Sequence, residues 1–282
     1  MNKEGITVAG NLIADVVYTI DVYPQKGNLT WMRNPGGINN LIIDLARLDS
    51  KIPIKVSGVV GDDENGQFIV DSLREYPNIN IEGIVKKGRT AVTFAMTEKE
   101  SKQRTFFFDP GTSLEFNEKQ IDFKKIKADI FHLEYLLLLG TLDQPDEDYG
   151  TKAAKVLATA QKYEMETSVD MVSEEGNRYQ KVVWPALKYT DYCVVNEVEG
   201  TGVTGIQLYD KDGIKEENMR KGLEKLKELG VKKWAIIHSP ACGYGLNCQT
   251  GEFVKVPSFK LPKGFIKGTT GAGDAFCSGV LY

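Results

Sequence analysis

Cysteine and histidine are scarce in this sequence. Four cysteines, Cys193, Cys242, Cys248 and Cys277, share no CxxC spacing, and the two histidines, His132 and His238, stand alone. Neither a disulfide framework nor a zinc site is indicated. Each of the six reads as a small buried side chain or a satisfied imidazole. Long apolar runs are missing too. The most apolar, Tyr135 to Leu139, is far too short to span a bilayer, and the opening MNKEGITVAGNLIADVV has no signal-peptide core. A cytoplasmic location is expected. Positive charge is in slight deficit: 35 Lys and Arg against 39 Asp and Glu give a net charge of −4. That balance offers no general attraction to nucleic acid or anionic lipid, so neither partner is expected and a small molecule is. No GxxxxGK[ST] occurs, which argues against a P-loop nucleotide site.

What is present is an alternation of strand and helix. With 282 residues, 41% apolar and 26% charged, the chain can bury the core of one large α/β domain. GITVAGNLIADVV is a β-branched strand, and GGINNLIIDLARL then places Ile38, Leu41, Ile42, Leu45 and Leu48 at helical spacing. VSGVV predicts a strand, Gln67 to Tyr76 a helix, DIFHLEY a strand, Tyr149 to Tyr163 a helix and TSVDM a strand. A helix near Arg178 to Lys188, the strand TDYCVV, a helix carrying Met219, Leu223, Leu226 and Leu229, and the strand WAIIH continue the rhythm. The fold class that follows is α/β, a mostly parallel sheet with helices on both faces.

Two stretches break the rhythm. Val16 to Arg33 carries VVYTIDVY and LTWMR, and Arg89 to Asp109 carries TAVTFAM and RTFFFD. Each reads as a strand pair, and together they predict a small antiparallel sheet, segments 16–34 and 89–110, projecting as a lid. A lid excludes water where hydrolysis would compete; the alternative is hairpins that pad the sheet edge. Exposed lid edges can pair with a second copy, which admits a homodimer. QPDEDYG, 144–150, reads as a solvated loop.

The strongest chemical signal is KGTTGAGDAFCSG, 267–279. Gly271 and Gly273 flank Ala272 in a tight turn, and Asp274 stands where an apolar helix begins. Backbone N–H groups at such a turn, added to the helix dipole, form an anion hole suited to a phosphate. A carboxylate beside it can accept an alcohol's proton as the oxygen attacks phosphorus. Taken as a bare pattern, GAGD also suits an ordinary helix-capping turn. A dinucleotide site is disfavoured, since GAGDAF lacks the third glycine and lies at the wrong end of the chain.

These residues resemble the C-terminal signature DTTGAGDxFxxG of the ribokinase family, the PfkB carbohydrate kinases, with a match from Thr269 to Gly279. Gly36, Gly37 and Asn40 in PGGINNLIIDLARL are similar to that family's early diglycine and asparagine, GDDENG at 61–66 to its GDDxxG turn, and NEVE at 196–199 to its NxxE element. GNLIAD places Asp15 where the family has a substrate-binding acid. The resemblance spans the whole chain and implies one ribokinase-like domain, residues 1–282. It implies an ATP-dependent sugar kinase with Asp274 as base and Gly271, Ala272 and Gly273 as anion hole. Asp15, Gly36, Gly37, Asn40 and Glu134 would bind the sugar. Asn196, Glu199, Thr269, Thr270 and Gly243 would serve the nucleotide, with Glu199 organising Mg²⁺ through water. Without the resemblance, Asp15 reads as a strand-terminating acid, Asn40 as a helix first-turn residue, and Asn196 with Glu199 as a helix cap.

The sequence departs from the family pattern at Gly268, where an Asp is usual, and at Pro240, where a glycine is usual. Asn40 also follows its diglycine one residue early, and the chain stops at Tyr282, so the further C-terminal helices of the family are expected to be absent. A neutral sugar ranks first as substrate and a nucleoside second. Arg33, Arg89 and Arg104 on the lid could meet an anionic one. A non-catalytic sugar or nucleotide sensor on the same fold is the alternative class.

Overall fold

The first strand does the work of two. In the computed structural model, which describes residues 4–20, 30–98, 104–174, 176–262, 264–266 and 269–282, ITVAGNLIADVVYTI forms a single strand, Ile6–Ile20. Its 15 residues reach about 50 Å at the usual rise of a strand. Ile6 to Asn11 pair in parallel with Ile54–Val60, and Ile6 to Gly10 with Ile130–Leu136, in the main sheet. From there the strand continues into the lid.

From one edge the main sheet runs Ile79–Lys86, Ile54–Val60, Ile6–Ile20, Ile130–Leu136, Glu166–Met171, Tyr192–Asn196 and Trp234–His238, every pair parallel. Cys242–Asn247 and Phe253–Pro257 extend it antiparallel. Parallel strands all end at the same edge, so the residues that end them or follow them gather along one rim.

Alternate residues of each strand serve opposite faces. Val8, Val194 and Ile236 join a core with Ile38, Leu41, Ile42 and Leu45 of the helix Ile38–Leu48, Ile69 and Leu73 of Glu64–Arg74, and Cys277 of Ala272–Leu281. Their neighbours Ala9, Cys193, Val195, Ala235 and Ile237 join a second core with Val156 and Leu157 of Lys152–Lys162 and Leu223 and Leu226 of Glu216–Leu229. Helices therefore cover both faces, as the alternation of periods predicts. Leu48 is half exposed because it is the last helical residue before the chain turns at Asp49.

Several boundaries differ from the sequence reading. The second helix starts at Glu64 because Asp63 caps it, accepting from the Gly66 N–H at 2.8 Å. The third starts at Lys152, where Thr151 is the cap. The helix expected near Arg178 to Lys188 is a π-helical turn, Tyr179–Val183, running into Trp184–Leu187. Three strands of the main sheet were not expected: Ile79–Lys86 is half exposed at an edge, CGYGLN is rich in glycine, and Phe253–Pro257 is exposed. Ile79–Lys86 and Phe253–Pro257 are edge strands, whose apolar pattern is weak because only one side of them is paired, whereas Cys242–Asn247 is paired on both sides.

Strands occur in both stretches singled out above, whose residues 21–29 and 99–103 lie outside the described residues, but they do not form a separate antiparallel sheet. The central pair of the lid, Ile13 to Ile20 with Ala91–Glu98, is parallel. Thr30–Gly37 and Arg104–Asp109 flank that pair antiparallel and form the lid's edges. The main sheet and the lid share a strand, so the lid is a continuation of the sheet. Among the described residues no helix is long and apolar enough to cross a membrane.

Candidate active site

A cleft of about 550 Å³ opens between the rim of the sheet and the lid. Asp274 lies in its floor, in the first turn of the helix Ala272–Leu281 and 8% exposed. Gly271 opens that helix at φ 78°, a left-handed conformation that suits glycine. Each oxygen of the Asp274 carboxylate accepts a hydrogen bond. Tyr135 Oη–H donates to Oδ1 at 2.7 Å, and Asn40 Nδ2 donates to Oδ2 at 2.8 Å. Burial pushes the Asp274 carboxyl above the ordinary range, while these two donors pull it back.

Asp15 and Asn40 line the same cleft. Burial raises Asp15 to about 6, opposed by a hydrogen bond from Thr93 and reinforced by the Asp274 charge. Gly36 makes room for that carboxylate, since a Cβ there would lie 2.2 Å from Asp15 Oδ2. Gly37 ends the second strand and precedes the helix that carries Asn40. Asn196 and Glu199 stand on the far wall in a reciprocal cap. Asn196 Oδ1 accepts from the Glu199 N–H and Glu199 Oε2 from the Asn196 N–H, each at 2.9 Å. Glu199 Oε1 further accepts from Ser173 Oγ at 2.9 Å and from Asn196 Nδ2 at 2.7 Å. Burial raises Glu199 to about 7.

Not every residue singled out in the sequence reaches the cleft wall. Thr270, Gly271 and Gly273 line it, whereas Ala272 faces an adjoining depression and gives its N–H to the Thr269 carbonyl at 3.3 Å. Gly243 packs under Phe276, where a Cβ would come within 3.0 Å of the ring. Glu134 is fully buried below the floor. Its Oε2 lies 3.2 Å from His132 Nε2, and His132 Nδ1 is 3.0 Å from Ser168 Oγ. Burial drives His132 down to about 3, so its imidazole is neutral. Arg89 is paired with Asp109, and the Arg33 guanidinium lies over the Phe68 ring, 5.6 Å from its centre. Gly268 and the Arg104 side chain lie outside the described residues.

A buried carboxylate at a glycine turn thus shares the cleft with an acid and an amide, and comparison with known proteins identifies the family. Residues 5–282 match the pfkB family carbohydrate kinases. The chain belongs to that family. It is 28% identical over 281 residues to "Probable fructokinase-7" of Arabidopsis thaliana, covering 96% of this chain and 76% of that protein. Identity to "Probable fructokinase-6, chloroplastic" of the same plant is 25% over 281 residues, covering 96% of this chain and 68% of that protein. A ribokinase structure from Giardia lamblia superposes with a TM-score of 0.78 at 19% identity, over 97% of this chain and 81% of that one. A Xylella fastidiosa fructokinase with bound ATP superposes at 0.71 and 20% identity, over 99% and 82%. Those structures show the ribokinase-like fold.

Among the cleft residues of this carbohydrate kinase that escaped the sequence reading are Tyr135, Asp170 and His238. Asp170 lies near the end of the apolar strand Glu166–Met171. Its carboxylate lies with those of Glu134 and Asp274 in a group whose oxygens are within 4.8 Å of one another. Burial, then the charges of Glu199, Glu134 and Asp274, push Asp170 well above the ordinary range. His238 stacks on Phe276 with ring centres 4.6 Å apart, and burial lowers it to about 4. Tyr135 gave no signal at all, because only the fold brings it to Asp274.

Proposed function

We propose that this kinase transfers the γ-phosphoryl group of ATP to a hydroxyl of a neutral sugar, with Asp274 as the base. The single observation that carries the reading is the placement of Asp274, whose Oδ2 lies beside the Gly271 turn in a cleft also lined by Asp15 and Asn40. Asp15 and Asn40 orient sugar hydroxyls, one accepting and the other both donating and accepting. Asp274 takes the proton of the reacting hydroxyl as that oxygen attacks the γ-phosphorus, and the bond to the departing ADP breaks. The N–H groups of Gly271 and Gly273 serve the growing phosphoryl charge, that of Ala272 being held by the Thr269 carbonyl, and the lid excludes water. Thr269, Thr270 and Gly243 belong to the nucleotide side of this reading, Gly36 and Glu134 to the support of the sugar side. A homodimer would form through the lid edges, which sedimentation of the protein tests.

The oxygen-rich wall at Asn196 and Glu199 fits Mg²⁺. Both Glu199 oxygens already accept hydrogen bonds, which suits a hold through the ion's water shell. When bound, the ion neutralises charge on the transferring phosphates. Burial opposes the ionised form of Glu199, and a nearby cation would offset that. Glu199→Gln is therefore expected to raise the Mg²⁺ concentration for half-maximal rate by about 10- to 100-fold. The sugar KM should stay unchanged, as titration of the rate with Mg²⁺ would show.

Release of ADP across a panel of ketohexoses, pentoses, sugar phosphates, sugar acids and nucleosides tests the substrate class. Fructose heads the panel because the Arabidopsis relatives are named probable fructokinases. Highest kcat/KM on a neutral sugar supports the reading. Preference for a nucleoside or a charged sugar overturns it.

A further inference from the structure

We infer that Tyr135 is a positioning residue for phosphoryl transfer: its hydroxyl holds Oδ1 of Asp274, so that Oδ2, on the side of the Gly271 turn, takes the proton of the sugar hydroxyl. The inference rests on the assignment of Asp274 as base.

The geometry divides the two oxygens. A Cβ built on Gly271 would lie 3.7 Å from Asp274 Oδ2 and 3.7 Å from Asn40 Nδ2, so Oδ2 is the oxygen beside the anion turn. Oδ1 is bound to Tyr135 at 2.7 Å. The last torsion of an aspartate is broad, and a carboxylate held at neither oxygen samples many orientations. Holding Oδ1 removes that freedom while leaving the other oxygen for chemistry. Asn40 suits the second role, because an amide both donates and accepts and can exchange its bond to Oδ2 for one to the arriving hydroxyl.

Tyr135 is itself well held. It lies on the strand Ile130–Leu136, and its hydroxyl also reaches the Gly37 carbonyl at 3.4 Å. Burial, then the charges of Glu134, Asp274 and Asp170, push its phenol well above the ordinary range, so it stays a donor. Asp274 is faced by Glu134 and Asp170 from neighbouring strands, Asp15 from the first strand, Asp44 from the helix Ile38–Leu48, and Cys277 from its own helix. The neutral His238 lies across Gly273. Burial presses the carboxyl of Asp274 toward protonation, and Tyr135 and Asn40 are donors that favour its ionised form.

The test reads kcat, KM and the pH profile together. Tyr135→Phe is expected to lower kcat by about 10- to 100-fold, the usual weight of a hydrogen bond to a charged group, with the sugar KM little changed. Losing a donor to the carboxylate raises its pKa, so the acidic limb of kcat moves to higher pH. Tyr135→3-fluorotyrosine, nearly the same size but a stronger donor, is expected to move that limb to lower pH, and it decides the matter if the phenylalanine variant does not fold. Limbs unmoved in both variants overturn the inference, whether or not kcat falls. Asp274→Asn separates this from the underlying reading: activity surviving that change overturns the base assignment and this inference together.

Discussion

Asp274→Asn is expected to reduce turnover by about 10²- to 10⁴-fold, the usual contribution of a positioned general base. The amide keeps the shape of the carboxylate but has no lone pair basic enough to take an alcohol's proton. Folding should be spared. Burial works against the ionised form of Asp274 in the wild type, so a neutral side chain at this site relieves a desolvation cost. Tyr135 can still donate to the amide oxygen, and the Asn40 side chain can turn its own carbonyl oxygen toward the amide nitrogen. Sugar binding, measured by calorimetry with a sugar found to turn over in the panel, is expected to stay within a few-fold of wild type. Loss of turnover with binding retained separates catalysis from binding. Turnover near the wild-type rate would remove Asp274 from the mechanism.

Gly37→Ala is expected to lower the unfolding free energy by about 3 kcal/mol, at the upper end of ordinary substitutions. Two independent penalties act there. Gly37 has φ 61° and ψ −142°, a region strained for any L side chain. A Cβ would also lie 2.1 Å from the backbone oxygen of Asn11 and 3.1 Å from Ile13 Cγ1. The first strand cannot yield easily, because Asn11 pairs with Val59 in the main sheet. The helix Ile38–Leu48 must shift instead, carrying Asn40 away from Asp274. Chemical denaturation reads the first effect, and a fall in kcat/KM larger than the fraction unfolded reads the second. A variant as stable as wild type would show that this junction absorbs a methyl group, and the close packing described here would be wrong.

Most of the α/β alternation was legible, because burying a strand between two layers of helix demands apolar residues in runs that a sequence displays directly. GITVAGNLIADVV and WAIIH are of that kind, and both are strands. Cys242–Asn247 was not legible: CGYGLN has two glycines, and its register comes from pairing with Trp234–His238. Strands were legible in both irregular stretches, but the parallel pairing of Ile13 to Ile20 with Ala91–Glu98 was not. Nothing in VVYTIDVY distinguishes a strand that continues out of one sheet from one that begins another.

The candidate site divides in the same way. Gly271, Asp274, Asn196 and Glu199 could be singled out because each acts through neighbours in the chain. The left-handed turn at Gly271 is three residues from the acid it presents, and Asn196 and Glu199 cap a helix across three residues. Local chemistry of this sort is written in spacing. Tyr135 and Asn40 meet Asp274 across 139 and 234 residues, and no spacing rule connects them. The order of parallel strands decides which of their ends become neighbours, and so which acids are buried together and which donors each receives. By itself the sequence determined the strands and helices of the sheet's interior, the glycine turn and the acid at its helix. Only the tertiary structure decided that Asp274 is held at one oxygen by Tyr135 and at the other by Asn40, because burial and contact between distant residues depend on sheet order, which adjacent residues do not encode.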